Sequence, residues 1–454
     1  MKIGLISINA HTKVLNCASP LHTYVFQSFL KENDVDSTII DYKPVYGRNF
    51  DARHPLDHYL AHPEANAKKQ KNLVKKWTQL YKERESRYDK FENFINKYYV
   101  KTDKCYNQEL LDQEDPGFDC YMCVTDVIWK YNPNRGFDRG FFLACDCMKG
   151  KKKIAYAASR GAKSYTPEQA KEFFEYIGDL DAIAVREKSL KSYIEKNSKL
   201  PVEHVLDPVF LMPAPWYDHI TEYPEKKGYV LLYMVMEKNP ELVETAVRFA
   251  QKHGLEVIEL SEELGNANYP KGTHHDVIYD TGVEEWLGYM RNASYIFTNS
   301  FHACCFSIIF GKQFFAGSRS GDKIDSVLEL FNLSSRRIYG VAHGKALRMK
   351  DIDYNKVHEK LDQLRKKSSD FILGAIHAAE NAEHRNHSEL INFEKLEKDI
   401  ADAKESGADV KAVDVKSDKT TPFSLVKMRY HFNAYWKELK IQIKKILKKL
   451  GLKK

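Results

Sequence analysis

His302 stands where one apolar segment of the chain gives way to the next. Residues 295–298 have the composition of a buried strand and residues 301–310 that of a buried helix, so His302 falls in the turn between them. Free backbone N–H groups and the dipole at the start of a helix favour an anion there. An imidazole in this place can act as a general acid or bind an anion, and a core histidine bonded to a carbonyl fits the position equally well.

Arg186 is a second candidate, because it follows the strand-like run 181–185 directly. An ordinary surface cation at a strand end would give the same pattern. Neither residue alone identifies a reaction. The elements that position them carry more information.

Strand-like and helix-like segments alternate over most of the chain, in two series. The predicted strands lie at 2–8, 37–42, 120–124, 153–158 and 181–185 in the first series, and at 229–235, 255–260, 295–298 and 313–316 in the second. The chain loses periodicity near residues 213–216, which marks a domain boundary. The pattern predicts an α/β fold of two Rossmann-like domains facing a cleft, with ligands beyond the carboxyl ends of the strands.

The chain divides into five predicted parts. They are an N-terminal Rossmann-like domain (1–215) with a helical insertion near 53–115, a C-terminal Rossmann-like domain (216–345), a closing helical segment (346–399), a polar linker (400–422) and a basic amphipathic helix (423–454). Within the insertion, residues 67–99 are expected to form a polar helical pair outside the core.

The net charge of +7 is concentrated in the C-terminal tail. Residues 427–454 hold ten Lys and Arg against one Glu, so the other 426 residues carry about −2, which argues against nucleic-acid binding. Apolar residues recur there at three- and four-residue steps, which predicts a helix lying on an anionic membrane surface. A terminal helix docked on the body is the alternative. With no bilayer-spanning run and no secretory signal, we expect a cytoplasmic protein, peripheral at the inner face of the cell membrane.

The eight cysteines show no disulfide framework. Cys120 and Cys123, followed by Cys145 and Cys147, could suggest a zinc site. Residues three apart in a strand point to opposite faces, however, which is wrong for chelating one ion. We expect reduced thiols and no metal site.

Seven segments in order resemble the polysaccharide pyruvyltransferase family, over most of residues 1–345. They are MKIGLISI with FLKENDVDSTIIDY, FDCYMCVTDVIW (118–129), KIAYAASRG (153–161), DAIAVREKSLKSYI (181–194), VEHVLDPVFLM (202–212), ASYIFTNSFHACCFSIIFGKQFFA (293–316) and RSGDKIDSVLELFNL (319–333). The resemblance implies a two-domain fold like that of the GT-B glycosyltransferases. It also implies transfer of pyruvate from phosphoenolpyruvate to two sugar hydroxyls as a ketal, with phosphate released and no further cofactor.

This resemblance gives the candidates roles. Protonation of C3 of the enol by His302 would make C2 electrophilic for the first hydroxyl, and such acid catalysis typically contributes about 10²–10⁴-fold. Phosphoenolpyruvate carries a carboxylate and a phosphate, which a guanidinium matches best. Arg186 and Arg319 are therefore assigned to the donor, with Lys323 behind them. The donor-binding set is completed by Asn299 and Ser300.

The acceptor set is Asp126, Trp129, Ser159 and Arg160. A carboxylate beside an aromatic ring is a common sugar-binding combination, although a structural cap explains Asp126 equally well. Ser159 and Arg160 follow a predicted strand and are placed at the cleft. Asp207 precedes Pro208 and is interpreted as a structural turn. The acceptor itself would be a sugar of a cell-surface polysaccharide or its lipid-linked oligosaccharide precursor.

Two departures from the family pattern bear on substrate. Some branches have Arg-Leu-His where this chain has Ser300-Phe301-His302, so another cation must replace the arginine or the donor differs. The N-terminal loop, Asn-Tyr-Gly in many relatives, is Leu15-Asn16-Cys17-Ala18, which leaves the acceptor open. Two other functions stay possible: a GT-B-type glycosyltransferase using a nucleotide sugar, and a non-catalytic membrane-associated scaffold for polysaccharide assembly.

Overall fold

The structure is a computed structural model that describes residues 1–8, 11, 15–44, 53, 80–161, 164–236, 239–261, 275–319 and 321–405. Most of the predicted insertion before residue 80, the linker beyond residue 405 and the basic helix 423–454 lie outside these residues. The described part of the chain falls within one compact unit, Met1–Asp409.

Seven parallel strands form the first sheet. They are β1 (Ile3–Ser7), β2 (Ser37–Tyr42), β3 (Lys101–Tyr106), β4 (Cys120–Asp126), β5 (Lys152–Ala158), β6 (Ala182–Val185) and β7 (Val202–His204). Their order is β3-β2-β1-β4-β5-β6-β7, with Leu5 of β1 opposite Met122 of β4. Near-continuous burial of the central strands follows from helices covering both faces of a parallel sheet.

Five parallel strands form the second sheet. They are β8 (Val230–Met234), β9 (Val257–Ser261), β10 (Asp276–Ile278), β11 (Tyr295–Thr298) and β12 (Gln313–Ala316). Their order, β10-β9-β8-β11-β12, repeats the first five positions of the other sheet. Both are Rossmann orders, so the predicted fold of two Rossmann-like halves is confirmed.

Twelve α-helices are found in the described residues. They are α1 (Ala18–Glu32), α2 (Tyr81–Tyr98), α3 (Gln108–Gln113), α4 (Pro167–Ile177), α5 (Lys188–Asn197), α6 (Pro240–His253), α7 (Val283–Asn292), α8 (Phe301–Ile309), α9 (Lys323–Leu330), α10 (His343–Ala346), α11 (Tyr354–Asn381) and α12 (Phe393–Glu405). A capping box formed by Thr166 and Gln169 starts α4, as the sequence predicts. Gly254 ends α6 in the left-handed conformation (φ 66°). None of these helices combines the length and the apolar composition needed to cross a bilayer.

The described part of the insertion belongs to the body of the protein. Helix α2 buries Phe91, Phe94 and Ile95 in the main apolar cluster, and β3 is the edge strand of the first sheet. The three buried side chains lie at positions i, i+3 and i+4, which is one face of a helix. The prediction of a polar helical pair outside the core was therefore wrong for α2, because it relied on the charged residues of the opposite face.

The segment after the second sheet returns to the first. Helix α11 spans 28 residues and contacts α8 of the second half and β5 of the first. Its Ser368 accepts a hydrogen bond from the N–H of Leu206 at 3.0 Å. Helix α12 then packs on α4 and continues to Glu405, so the first residues of the predicted linker are helical.

Candidate active site

The two halves meet where β4, β6 and β7 of the first sheet end and α8 of the second half begins. Asp126 is the last residue of β4, Arg186 follows β6, and Asp207 comes shortly after β7. His302 lies in the first turn of α8. Parallel strands end at one edge of their sheet, so these side chains converge between the halves.

Arg186 is bonded to three carboxylates. Its Nη2 donates to Asp126 Oδ1 at 3.0 Å, its Nη1 to Asp207 Oδ2 at 2.8 Å and its Nε to Glu187 Oε1 at 3.2 Å. The guanidinium also lies over the ring of Phe301, 4.5 Å from its centre. Burial alone would lower the pKa of Arg186, but the three carboxylates raise it above its ordinary value. Its charge is thus neutralised within the protein.

The end of β4 is strained. Thr125 and Asp126 both have left-handed backbone angles, with φ of 46° and 62°. Non-glycine residues in this region cost on the order of 1 kcal/mol or more each, and such strain collects at functional sites. The distortion lets Thr125 Oγ1 donate to Asp207 at 3.0 Å, while Asp126 Oδ1 accepts from Arg186 and from Lys323 Nζ at 2.9 Å.

Asp207 is central to the site. Its side chain is fully buried, and Oδ2 accepts hydrogen bonds from Arg186 and Thr125 and lies 3.6 Å from His302 Nε2. Burial would raise the pKa of the carboxyl, but the charges of His302 and Arg186 hold it below its ordinary range. Its Oδ1 accepts from the N–H of Val209, so the predicted structural turn is present, and the residue is also a site carboxylate that sequence reasoning missed.

Asp126 is ionised for a similar reason. Burial would raise the pKa of its carboxyl, while Lys323 and Arg186 lower it well below the usual value. With both contacts directed at its Oδ1, Asp126 joins a cation from each half of the protein.

His302 is about nine-tenths buried. Its Nε2 has no hydrogen-bond partner among the described residues, and the nearest carboxylate is Asp207. Its ring stacks on that of His22, with centres 5.8 Å apart and planes at 28°. His22, on α1, is the second residue that sequence reasoning missed, because an apolar helix face gave no signal of chemistry.

The turn before α8 is held by its own side chains. Ser300 Oγ accepts from the N–H of Ala303 at 3.3 Å and caps the helix, and Asn299 Oδ1 accepts from the N–H of Val235 at 2.7 Å. These contacts fix β8, β11 and α8 against one another. The donor-binding roles of Ser300 and Asn299 stay predictions.

Arg319 differs from the other cations of the site. Its Nη1 donates to the carbonyl of Asn299 at 3.4 Å and its Nη2 lies 3.1 Å from Met236 Sδ. Within the described ranges it makes no ion pair with a carboxylate, whereas Lys323 is paired with Asp126. Among the described residues, Arg319 is thus the cation next to position 300 that no carboxylate pairs with.

The predicted acceptor residues are neighbours through their backbones, because the N–H of Trp129 donates to the carbonyl of Ser159 at 3.1 Å and the N–H of Ser159 to that of Asp126 at 2.9 Å. Their side chains do not form one polar surface. Trp129 is fully buried, donates from Nε1 to the carbonyl of Phe141 at 3.2 Å, and stacks on Phe142. It therefore packs the core of the first half and does not line the cleft, which corrects the expectation. Ser159 is likewise fully buried and accepts from the N–H of Gly161 at 3.2 Å.

Arg160 is half-buried beside an aromatic pair. Its guanidinium lies 4.7 Å from the ring centre of Tyr193 and 5.7 Å from that of Tyr165. Its Nη1 has no hydrogen-bond partner among the described residues. Of the four acceptor candidates, Asp126 and Arg160 keep polar groups that a ligand could use.

A small cavity adjoins Arg186 on the side of α9. It is lined by Glu187, Phe301, Lys323 and Leu330 among others, and the volume open to the centre of a water molecule is about 20 Å³. That is room for about one water molecule. A three-carbon acid does not fit there, which directs attention to the side of the site bordered by Arg319.

No group of three or more His, Cys, Asp or Glu side chains in the described ranges is arranged to hold a metal ion. All eight cysteines are free thiols. Cys120 and Cys123 belong to different apolar clusters, on opposite faces of β4, as the alternation of a strand requires.

A protein-family model matches most of the chain. The family model described as polysaccharide pyruvyl transferase matches residues 21–320, which include Asp126, Arg186, Asp207, His302 and Arg319 and end before Lys323. No curated protein matches the chain.

Solved structures resemble the chain at low sequence identity. A UDP-GlcNAc 2-epimerase of Methanocaldococcus jannaschii, bound to UDP-GlcNAc and UDP, is 12% identical over 83% of this chain and 99% of its own, with a TM-score of 0.40. A UDP-N-acetylglucosamine 2-epimerase of Rickettsia bellii is 11% identical over 83% and 98%, with a TM-score of 0.44. T4 phage BGT, bound to UDP and Mn²⁺, is 12% identical over 84% and 99%, with a TM-score of 0.37.

Proposed function

Since the chain belongs to the polysaccharide pyruvyl transferase family, we propose that it transfers pyruvate from phosphoenolpyruvate to two hydroxyls of a sugar, as a ketal. The acceptor we propose is a sugar of a cell-surface polysaccharide or of its lipid-linked precursor. The observation that carries the proposal is the placement of His302, nearly buried at the start of α8 and 3.6 Å from the ionised carboxylate of Asp207.

Asp207 supports an acid role for His302. A buried carboxylate near an imidazole stabilises the imidazolium, which is the form that gives up a proton. In the proposed reaction His302 protonates C3 of the enol, and C2 becomes electrophilic. The first sugar hydroxyl adds to C2, phosphate leaves, and the second hydroxyl closes the ketal ring. Of the two hydroxyl protons, one leaves with the phosphate and the other restores the protonated form of His302.

Arg186 and Arg319 have different proposed roles. Arg186 is saturated by three carboxylates, so we assign to it the positioning of Asp126 and Asp207 rather than direct binding of phosphoenolpyruvate. Arg319 has no carboxylate partner among the described residues and contacts the carbonyl that precedes Ser300. We propose that Arg319 replaces the arginine that some family branches carry at position 300.

The first test is release of phosphate from phosphoenolpyruvate with candidate sugars and lipid-linked sugars, followed by mass spectrometry of the product for a pyruvyl ketal. His302→Gln should lower kcat by about 10²–10⁴-fold, the usual contribution of a general acid. His358→Gln is the matched control, because that half-buried histidine bonds the carbonyl of Ile308 away from the site. Nucleotide release instead of phosphate release would favour glycosyl transfer, and no release of either would favour the scaffold.

Arg319→Ala should mainly raise KM for phosphoenolpyruvate, by about tenfold or more. The substitution removes a charge-assisted hydrogen bond to the donor, and about 1.4 kcal/mol of lost binding energy corresponds to a tenfold weaker affinity. Arg319→Lys should recover part of the affinity, since an ammonium keeps the charge but loses the paired N–H geometry. Arg385→Ala removes an arginine from an exposed pair with Glu389 and serves as the control. An unchanged KM in Arg319→Ala would exclude Arg319 from the donor site.

A further inference from the structure

His22 has no part in the chemistry described so far, yet it lies against the proposed acid. It is fully buried on α1 of the first half, while His302 belongs to α8 of the second. The two rings are nearly parallel, at 28°, with centres 5.8 Å apart. The pair therefore spans the junction between the halves.

The hydrogen bonds around His22 define its tautomer. Thr23 Oγ1 donates to the carbonyl of Ser19 at 3.2 Å, so the 2.8 Å contact between Ser7 Oγ and Thr23 Oγ1 uses the proton of Ser7. Both hydroxyl protons are then occupied. In this arrangement the Nδ1 of His22 donates to Thr23 Oγ1 at 3.3 Å, and Ser7 Oγ lies 3.5 Å away. The proton of the neutral ring is thus on Nδ1, and Nε2 has no partner among the described residues.

The surroundings of His22 favour the neutral form of its ring. Burial lowers the pKa of His22 to about 4, and the nearby charge of Asp207 offsets this only in part. Asp126, Arg186 and a protonated His302 also act on it, the last two against a second charge. His302 has a carboxylate, Asp207, at 3.6 Å, whereas the Nδ1 of His22 contacts only hydroxyls. At neutral pH the ring of His22 is therefore neutral.

We infer that His22 is a positioning residue for His302: its ring is fixed by Ser7 and Thr23, packs on one face of the acid and so holds the imidazole of His302 in place. The inference rests on the proposed function, because His302 is the acid of that reaction. A flat neutral ring in place of His22 would preserve the arrangement, and a small side chain would not.

Kinetics separate positioning from simple stability. His22→Ala should lower kcat about a hundredfold with little change in KM for phosphoenolpyruvate, since small misplacements of a catalytic group can cost about that much. His22→Phe keeps the flat neutral ring and should retain kcat within about threefold of the wild type, on the same reasoning. His358→Phe is the control for a histidine-to-phenylalanine change away from the site. Equal loss in the alanine and phenylalanine variants, or wild-type kcat in the alanine variant, would overturn the inference.

NMR of the ring nitrogens of ¹⁵N-labelled histidine in the full chain tests the same idea without substrate. Between pH 6 and 8, His22 should show a protonated Nδ1 and a bare Nε2, and it should gain a second proton only as the pH approaches its pKa of about 4. The ring ¹⁵N chemical shifts of His302 at a fixed pH should change in His22→Ala and stay close to wild type in His22→Phe. A protonated Nε2 on His22 at neutral pH would refute the inference. Since no turnover is needed, this result decides on His22 even if pyruvyl transfer is not observed.

Discussion

Arg186 and Asp207 show how single residues acquire their roles from their partners. Three carboxylates surround a buried guanidinium, and one of these carboxylates also faces His302. Replacing Arg186 or one of these carboxylates leaves a buried charge without one of its ion-pair partners. Such losses are typically larger than those of surface pairs.

Asp207→Asn should lower the free energy of unfolding at pH 7 by about 3–5 kcal/mol, the usual cost of breaking a buried ion pair. The folded-state pKa of Asp207 is lowered, so its ionised form stabilises the fold above the ordinary carboxyl pKa of about 4. This contribution is lost as the pH falls below that value toward the folded-state pKa. Denaturant unfolding at a series of pH values should show a wild-type advantage that is complete at pH 7 and shrinks below about pH 4.

Asp218→Asn is the matched control for this measurement. Asp218 pairs with Arg291 at 2.9 Å, but its side chain is 54% exposed. Its loss should change stability by no more than about 1 kcal/mol. A similar effect of the two substitutions would contradict the assignment of Asp207 to a buried charge network.

At the scale of elements, two short junctions define the site: the strained end of β4 and the capped start of α8. Thr125 and Asp126 at the first, and Ser300 at the second, orient the side chains that meet between the halves. Close packing supports these junctions. Helix α7, for example, approaches the chain near Glu222 so closely that only glycine fits at position 288.

Gly288→Ala should destabilise the protein by roughly 1–3 kcal/mol, the usual cost of overpacking. An added Cβ would lie 1.9 Å from the carbonyl oxygen of Glu222. The control is Gly374→Ala on α11, where nothing lies within 4 Å of the added Cβ. There the higher helix propensity of alanine should stabilise the protein by up to about 1 kcal/mol. Thermal or denaturant unfolding of both variants tests the pair, and a Gly288→Ala protein as stable as Gly374→Ala would contradict the packing argument.

At the scale of the molecule, the two halves are joined by several independent contacts. Helix α2 pairs with α7 through Lys90 and Glu285 at 2.7 Å, and through Lys97 and Glu284 at 3.0 Å. Helix α11 adds a packed connection between α8 and β5. These contacts hold the two halves together around the site.

The basic segment 423–454 lies outside the described residues, and its role is a proposal from sequence. A chain ending at residue 422 should lose binding to anionic vesicles, since basic residues near such a surface contribute about 1 kcal/mol each. Phosphate release with a water-soluble acceptor should be unchanged. Sedimentation with phosphatidylserine vesicles measures the loss, and neutral phosphatidylcholine vesicles are the control. Equal binding of the full and shortened chains would refute a membrane role.

Local pattern in the sequence determined the elements of this protein and the position of its proposed acid. Nine of the twelve strands, the caps of α4 and α6, and His302 at the start of α8 all follow from periodicity and neighbouring residues, whereas β3, β7 and β10 were not predicted. The family motifs add the class of reaction. Helix α2 shows the limit of such reasoning, because a charged face hid three buried side chains on the other face.

Only the tertiary structure decided which side chains meet. Asp126 and Lys323 are 197 residues apart in the chain, and Asp126 and Arg186 are 60 apart. Long-range contacts of this kind neutralise Arg186 and make Asp207 a site residue. Separate long-range packing buries Trp129 in the core and places His22 against His302. Charge compensation and burial depend on the summed environment of a group, and that environment is set by long-range packing that no local pattern encodes.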